Sequence, residues 1–132
     1  MNKNEYARSN KEWLAAKAKE DGVTLLSKGV CYKVLQSGPE GGKKPTPASV
    51  VSCHYLGRTI DGKCFDTSLG GYPLAIRLRD LIEGWVIALQ QMRVGDKWEI
   101  YIPSELGYGN FSQPEIPANS TLIFEIELLG VQ

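Results

Sequence analysis

The segment "ELGYGN" (residues 105–110) sets Tyr108 between Gly107 and Gly109. Glycine on both sides loosens the backbone, so the tyrosine can be held at the rim of a cavity. There it is either a turn residue or a hydroxyl donor aimed at a ligand. Few other residues could carry chemistry. Asp66 stands in "CFDTS", and His54 is the single histidine. One histidine alone builds neither a metal site nor a Ser/His relay. Cys31, Cys53 and Cys64 form an odd, sparse set without metal-ligand spacing. Each sits among strand-like residues, where a free thiol is expected to act as a small buried hydrophobe. The sequence shows no triad, metal-ligand set or phosphate-binding loop.

The elements that must hold these residues follow from pattern. A chain of 132 residues is expected to form one core-bearing domain. Lys plus Arg and Asp plus Glu number 15 each, and no basic stripe suggests nucleic acid. No apolar run approaches the ~20 residues of a membrane span. "MNKNEYARSN" has no apolar signal region, so a reduced, cytoplasmic setting is expected, or a periplasmic one if an export signal was removed. Residues 9–22 read as a helix, with Ser9 and Glu12 as a capping box, Gly22 as the stop, and only Trp13 and Leu14 as large apolar residues. It should rest on the domain rather than form its core. Strand-like "VTLLS" and "GVCYKVL" precede a Gly/Pro-rich connection. "VVSCHYLGRTIDGKCFDTS" reads as a hairpin turning at Asp61-Gly62. "LAIRL" and "GDKWEIYIP" are further strands. Ile82, Trp85, Val86, Leu89 and Met92 recur at helical spacing, with Asp80 or a neighbour as cap. In the last strand Leu122, Phe124, Ile126 and Leu128 alternate with Ile123, Glu125 and Glu127, so one face must meet a core. The class is α+β with an antiparallel sheet around a short central helix, divided as a helical extension (1–22) and a domain (23–132).

The ordered set "CHYLGRTIDGKCFDTS", "LIEGWVIALQQMRVGDKWEIYIPSELGYG" and "IPANSTLIFEIELL" resembles the FKBP-type peptidyl-prolyl cis/trans isomerases, from about Val23 to Val131. "WLAAKAKEDGVTLLSKGVCYKVL" is similar to the bacterial Mip-like branch. That likeness implies the end of a long helix entering the catalytic domain, without the upstream dimerisation part. The resemblance implies a highly twisted sheet wrapped around the helix, with an apolar pocket between them and no cofactor. It places the catalytic set on Tyr55, Phe65, Asp66, Ile82, Trp85, Tyr108 and Phe124, with Leu81 and Ile116 as substrate contacts. Leu74 and Phe111, which depart from or add to the family pattern, are expected to contribute further substrate contacts. Trp85 would be the floor. The Tyr108 hydroxyl and the Ile82 backbone N–H would be the donors to a substrate carbonyl. The implied partners are proline-containing segments of folding proteins and macrolide inhibitors such as tacrolimus and rapamycin.

Each residue also has a plainer role. Trp85, Phe65, Ile82 and Phe124 taken singly would be core. Asp66 could cap the following turn, and His54 reads as a strand residue bonded to a neighbour. The loop "TSLGGYP" lacks the basic residue that many relatives place near the aspartate, leaving Arg58 or Arg77 as its expected partner. Leu74 and Ile76 stand where relatives often carry an aromatic, which implies a softer wall and weaker macrolide binding. The competing function is a chaperone-like binding module with little turnover. The N-terminal helix has too few large apolar residues to seam a coiled coil, so a monomer is expected.

Overall fold

Seven strands build one antiparallel sheet because their inward positions are apolar and their partners run alongside. The computed structural model describes residues 2–132. Helix α1 (Lys3–Ala18) comes first, followed by β1 (Val23–Leu25), β2 (Cys31–Gln36), β3 (Val50–Arg58), β4 (Cys64–Thr67) and β5 (Leu74–Arg77). A 3-10 turn at Leu78–Asp80 leads into α2 (Glu83–Leu89), then β6 (Lys97–Ile102), another 3-10 turn at Ser104–Leu106 and β7 (Leu122–Val131). The sheet order is β1-β2-β6-β7-β3-β4, and β5 pairs with the start of β3. On the edge away from β7, strand β3 therefore serves two partners, β5 over Val50–Cys53 and β4 over Leu56–Arg58. Across its other edge, the β7 register shifts between Ser52 and Cys53, leaving Leu129 of β7 as the extra residue of a bulge. This is a twisted antiparallel sheet with α2 packed on its inner face, as the periodicity and the resemblance implied.

The inner face of β7 carries Leu122, Phe124, Ile126 and Leu128, all buried, and they meet Trp85, Ala88 and Leu89 of α2. Burying such side chains stabilises by roughly 1.5–3 kcal/mol each. The outer face departs from simple alternation. Ile123 is buried there with Cys31 and Tyr101, because Trp13, Leu14 and Ala18 of α1 cover that end of the sheet. Trp13 meets Tyr101 edge to face at 5.9 Å, and Lys17 Nζ lies 5.2 Å from the Trp13 ring centre. At the rim of this seam Arg58 pairs with Glu99 at 2.9 Å, and the Tyr101 hydroxyl donates to Glu99 at 2.7 Å.

Several local expectations are corrected. Helix α1 begins six residues before Ser9. Asn2 is its cap, accepting from the Glu5 N–H at 2.8 Å while its own amide donates to the Glu5 carboxylate. "NKNE" is a second capping pattern upstream, and the tertiary bonds of Tyr6 to Ser120 and Asn10 to Thr121 favour the earlier one. The helix ends at Ala18, and Gly22 follows in the turn with φ of +83°. Helix α2 is shorter than its apolar period: Ile82 precedes it without a side-chain cap, and Asp80 closes the preceding 3-10 turn instead. Met92 is buried beyond the helix end. Cys31 and Cys53 are buried, and burial pushes their thiols up to about 11 and about 12 respectively, with Lys17 partly opposing this at Cys31. Cys64 is exposed, because on the edge strand β4 its side chain points away from the core.

Candidate active site

One cavity of about 160 Å³ is lined by Tyr55 of β3, Phe65 and Asp66 of β4, Leu74 of β5, Leu81 and Ile82 before α2, Trp85 of α2, Tyr108, and Phe124 of β7. The N-terminal end of α2 meets strands β3, β4, β5 and β7 there. Trp85 and Phe124 are 3% and 4% exposed, with ring centres 5.2 Å apart at 82°. Tyr55 stands 5.5 Å from Trp85 at 79°, and Phe65 stands 5.6 Å from Phe124 at 90°. In each pair an electropositive ring edge meets an electron-rich face, so the rings brace one another in preferred geometry. Gly57, which the sequence reading left without a role, makes this possible. It lies opposite Phe124 in the sheet register, and a Cβ there would come within 2.7 Å of both the Phe124 and Phe65 rings. A lone glycine inside a strand pattern is the signal that points to such a close approach.

The polar rim is sparse. The Tyr55 hydroxyl donates to the Asp66 carboxylate at 2.6 Å, a short charge-assisted bond. Burial, then this bond and the Asp66 charge, push the Tyr55 phenol above its ordinary range. The expected arginine partner of Asp66 is replaced by this tyrosine. Arg58 is committed to Glu99, and Arg77 donates to the Ala48 carbonyl. Tyr108 is raised as well, first by burial and then by the Asp66 charge. Its hydroxyl has no hydrogen-bond partner among the described residues, and neither has the Ile82 N–H. Tyr108 sits where it does because Gly109 takes a φ of +61° and its N–H returns to the Ser104 carbonyl at 2.8 Å. His54 points to the outer face of β3, its Nδ1 2.9 Å from Ser68 Oγ, and takes no part in the cavity.

Phe111 and Ile116 lie outside this cavity. Phe111 is 73% exposed. Ile116 is turned into the core by its bridge to Gln113, and it borders a separate groove beside Tyr6 and Asp61. Of the eleven side chains proposed from sequence, the other nine are brought together.

A family profile described as FKBP-type peptidyl-prolyl cis-trans isomerase matches residues 41–129. This chain belongs to that family. Within the FKBP-type family it is 39% identical over 129 residues to the isomerase FkpA of Aeromonas hydrophila, covering 97% of this chain and 47% of that one. It is 40% identical over 128 residues to the isomerase Mip of Coxiella burnetii, covering 96% of this chain and 55% of that one. The chain thus spans about half the length of these two relatives. The 1.6 Å crystal structure of a peptidyl-prolyl isomerase from Pseudomonas syringae pv. tomato superposes with a TM-score of 0.91 at 34% identity, covering 100% of this chain and 97% of that one. The FKBP-type match to both FkpA and Mip agrees with the bacterial branch expected from the N-terminal segment.

Proposed function

We propose that the cavity takes the prolyl ring of an X–Pro segment and speeds rotation about the preceding peptide bond. The observation that carries this reading is an apolar, aromatic-lined cavity with a single uncommitted hydroxyl at its rim, in a chain of this family. A cavity of about 160 Å³ is comparable to the roughly 150 Å³ that admits a benzene ring, and a pyrrolidine ring is smaller still. Rotation is slow because amide resonance holds the bond planar by ~18–20 kcal/mol, giving unaided times of ~10–100 s. The planar amide is more charge-separated than the twisted one. An apolar wall made by Phe65, Trp85, Phe124 and the Tyr55 ring therefore disfavours the ground state relative to the transition state. A barrier lowered by about 5.5 kcal/mol corresponds to roughly 10⁴-fold in rate.

In this reading Tyr108 and the Ile82 N–H donate to substrate carbonyls. The Tyr55–Asp66 bond holds one wall in place and commits the carboxylate to the tyrosine. Leu74 and Leu81 border the ring of the substrate, and Phe111 meets flanking residues only if the bound segment extends beyond the cavity. No bond to hydrogen breaks, so no general base is assigned to Asp66 or His54. Proline-containing peptide segments are the proposed substrates, with macrolide binding as a weaker property. The proposed division keeps residues 1–22 as an extension and 23–132 as the isomerase unit. A monomer is favoured because Trp13, Leu14 and Ala18 are spent on the chain's own sheet. No helix among the described residues is long and apolar enough to cross a membrane. The cytoplasmic location expected above draws no support from the relatives, and the periplasmic alternative stands beside it.

A second reading is a binding module that holds apolar segments with little turnover. It is favoured by the exposure of Phe111, Leu69 and Tyr72 at 73%, 58% and 95%. A protease-coupled assay on a short X–Pro peptide separates the two. A wild-type rate well above background, reduced in Tyr108→Phe, supports the enzyme. Background rate together with suppression of aggregation of an unfolded protein supports the binding module.

A further inference from the structure

The described chain has four buried polar residues, Asn10, Thr59, Ser120 and Thr121, and three of them meet at one joint between α1 and the segment leading into β7. Asn10 is 1% exposed, in the middle of a helix that the sequence reading treated as an appendage. Its amide donates to the Tyr6 carbonyl at 2.8 Å, which fixes the side chain with its oxygen outward from the helix. That oxygen accepts the Thr121 N–H at 2.8 Å, and the Thr121 hydroxyl donates to the Asn10 carbonyl. One turn earlier, the Tyr6 hydroxyl lies 2.7 Å from Ser120 Oγ. Ser120 spends its own proton on the Pro117 carbonyl at 2.6 Å, so Tyr6 is the donor. The joint thus clamps residues 117–121.

The clamped segment holds the Tyr108 loop directly. Asn119, in the left-handed region at φ +65°, donates its N–H to the Gly109 carbonyl at 2.8 Å. Gly109 is the residue after Tyr108, and no other backbone bond from the 117–121 segment reaches that loop. We infer that Asn10 and Tyr6 are positioning residues for Tyr108, acting through the Ser120–Thr121 clamp and the Asn119–Gly109 hydrogen bond. Helix α1 is then a working part of the site, setting where the rim hydroxyl stands. This rests on the isomerase reading above.

The test uses the full chain with Asn10→Ala, Tyr6→Phe and Tyr108→Phe singly, and with Asn10→Ala combined with Tyr108→Phe. Asn10→Ala is expected to lower kcat/KM roughly threefold to tenfold, no further than Tyr108→Phe does, and Tyr6→Phe by less. In the Tyr108→Phe background, Asn10→Ala is expected to change nothing more. A purely structural effect would instead add in full. Hydrogen exchange supplies a readout independent of activity: the Asn119 amide, protected in the wild type, is expected to exchange faster in both clamp variants. Folded clamp variants with wild-type kcat/KM, full additivity in the double variant, or an unchanged Asn119 amide would each overturn the inference. If Asn10→Ala does not fold, Tyr6→Phe decides by the same two readouts. A wild type with no isomerase rate would sink the functional reading instead, and Asn119 exchange would still decide the linkage.

Discussion

Trp85 has one face on the core and one on the cavity, so its removal should be felt in both. Trp85→Ala is expected to cost about 3–5 kcal/mol of stability by chemical denaturation. It should also lose most of the isomerase rate at temperatures where the variant stays folded. Loss of stability with rate intact would mean that the indole only packs. The cysteines offer a cleaner reading of burial. Cys31 and Cys53 are shut in the interior with raised thiols, whereas Cys64 is exposed. Mass spectrometry after brief alkylation of the native protein should find one label, on Cys64, and three after denaturation. Rapid native labelling of Cys53 would contradict the packing of β3. Asp66 shows what residue types leave undecided: its partner turned out to be Tyr55, eleven positions back and across the β3–β4 hairpin. Neither arginine considered from sequence reaches it, because side-chain pairing depends on strand register rather than on charge alone.

At the scale of elements, the α1 seam should govern behaviour in acid. Burial alone would raise Glu99, but the Tyr101 hydroxyl and the Arg58 guanidinium outweigh it and hold the carboxyl below the usual range. A carboxyl depressed on folding contributes stability above its unfolded value of about 4.3, and that contribution is lost as pH falls below it. Glu99→Gln should therefore flatten the acid decline of the thermal midpoint, and an unchanged slope would show that the pair contributes nothing. Strands and the central helix were legible because their periods are clean, as in Leu122, Phe124, Ile126 and Leu128. The extent of α1 was not, since Asn2/Glu5 and Ser9/Glu12 both read as caps and only tertiary contact picks between them. Its role was hidden for the same reason. Asn10 is an unremarkable polar residue in sequence, and its value lies in meeting Thr121, 111 positions away. Gly57 was readable in principle as a glycine inside a strand pattern, but the rings it admits come from two other strands.

For the molecule as a whole, sedimentation at micromolar concentration should give a monomer, because the apolar residues of α1 are covered by the chain's own sheet. A tight dimer would mean that another surface associates. In the function proposed above, an aromatic cavity twists an amide by desolvation and rim hydrogen bonds, without moving a proton. Both cavity tyrosines are raised above their ordinary range, so each stays protonated, and Tyr108 remains a donor, throughout neutral pH. The most direct test is the pH profile of kcat/KM for an X–Pro peptide in the wild type and in Asp66→Asn. A nearly flat profile from about pH 5 to 8 is expected in both, at a lower level in the variant. A steep wild-type limb in that range that disappears in Asp66→Asn would contradict it and put a titrating carboxylate at the centre of the reaction.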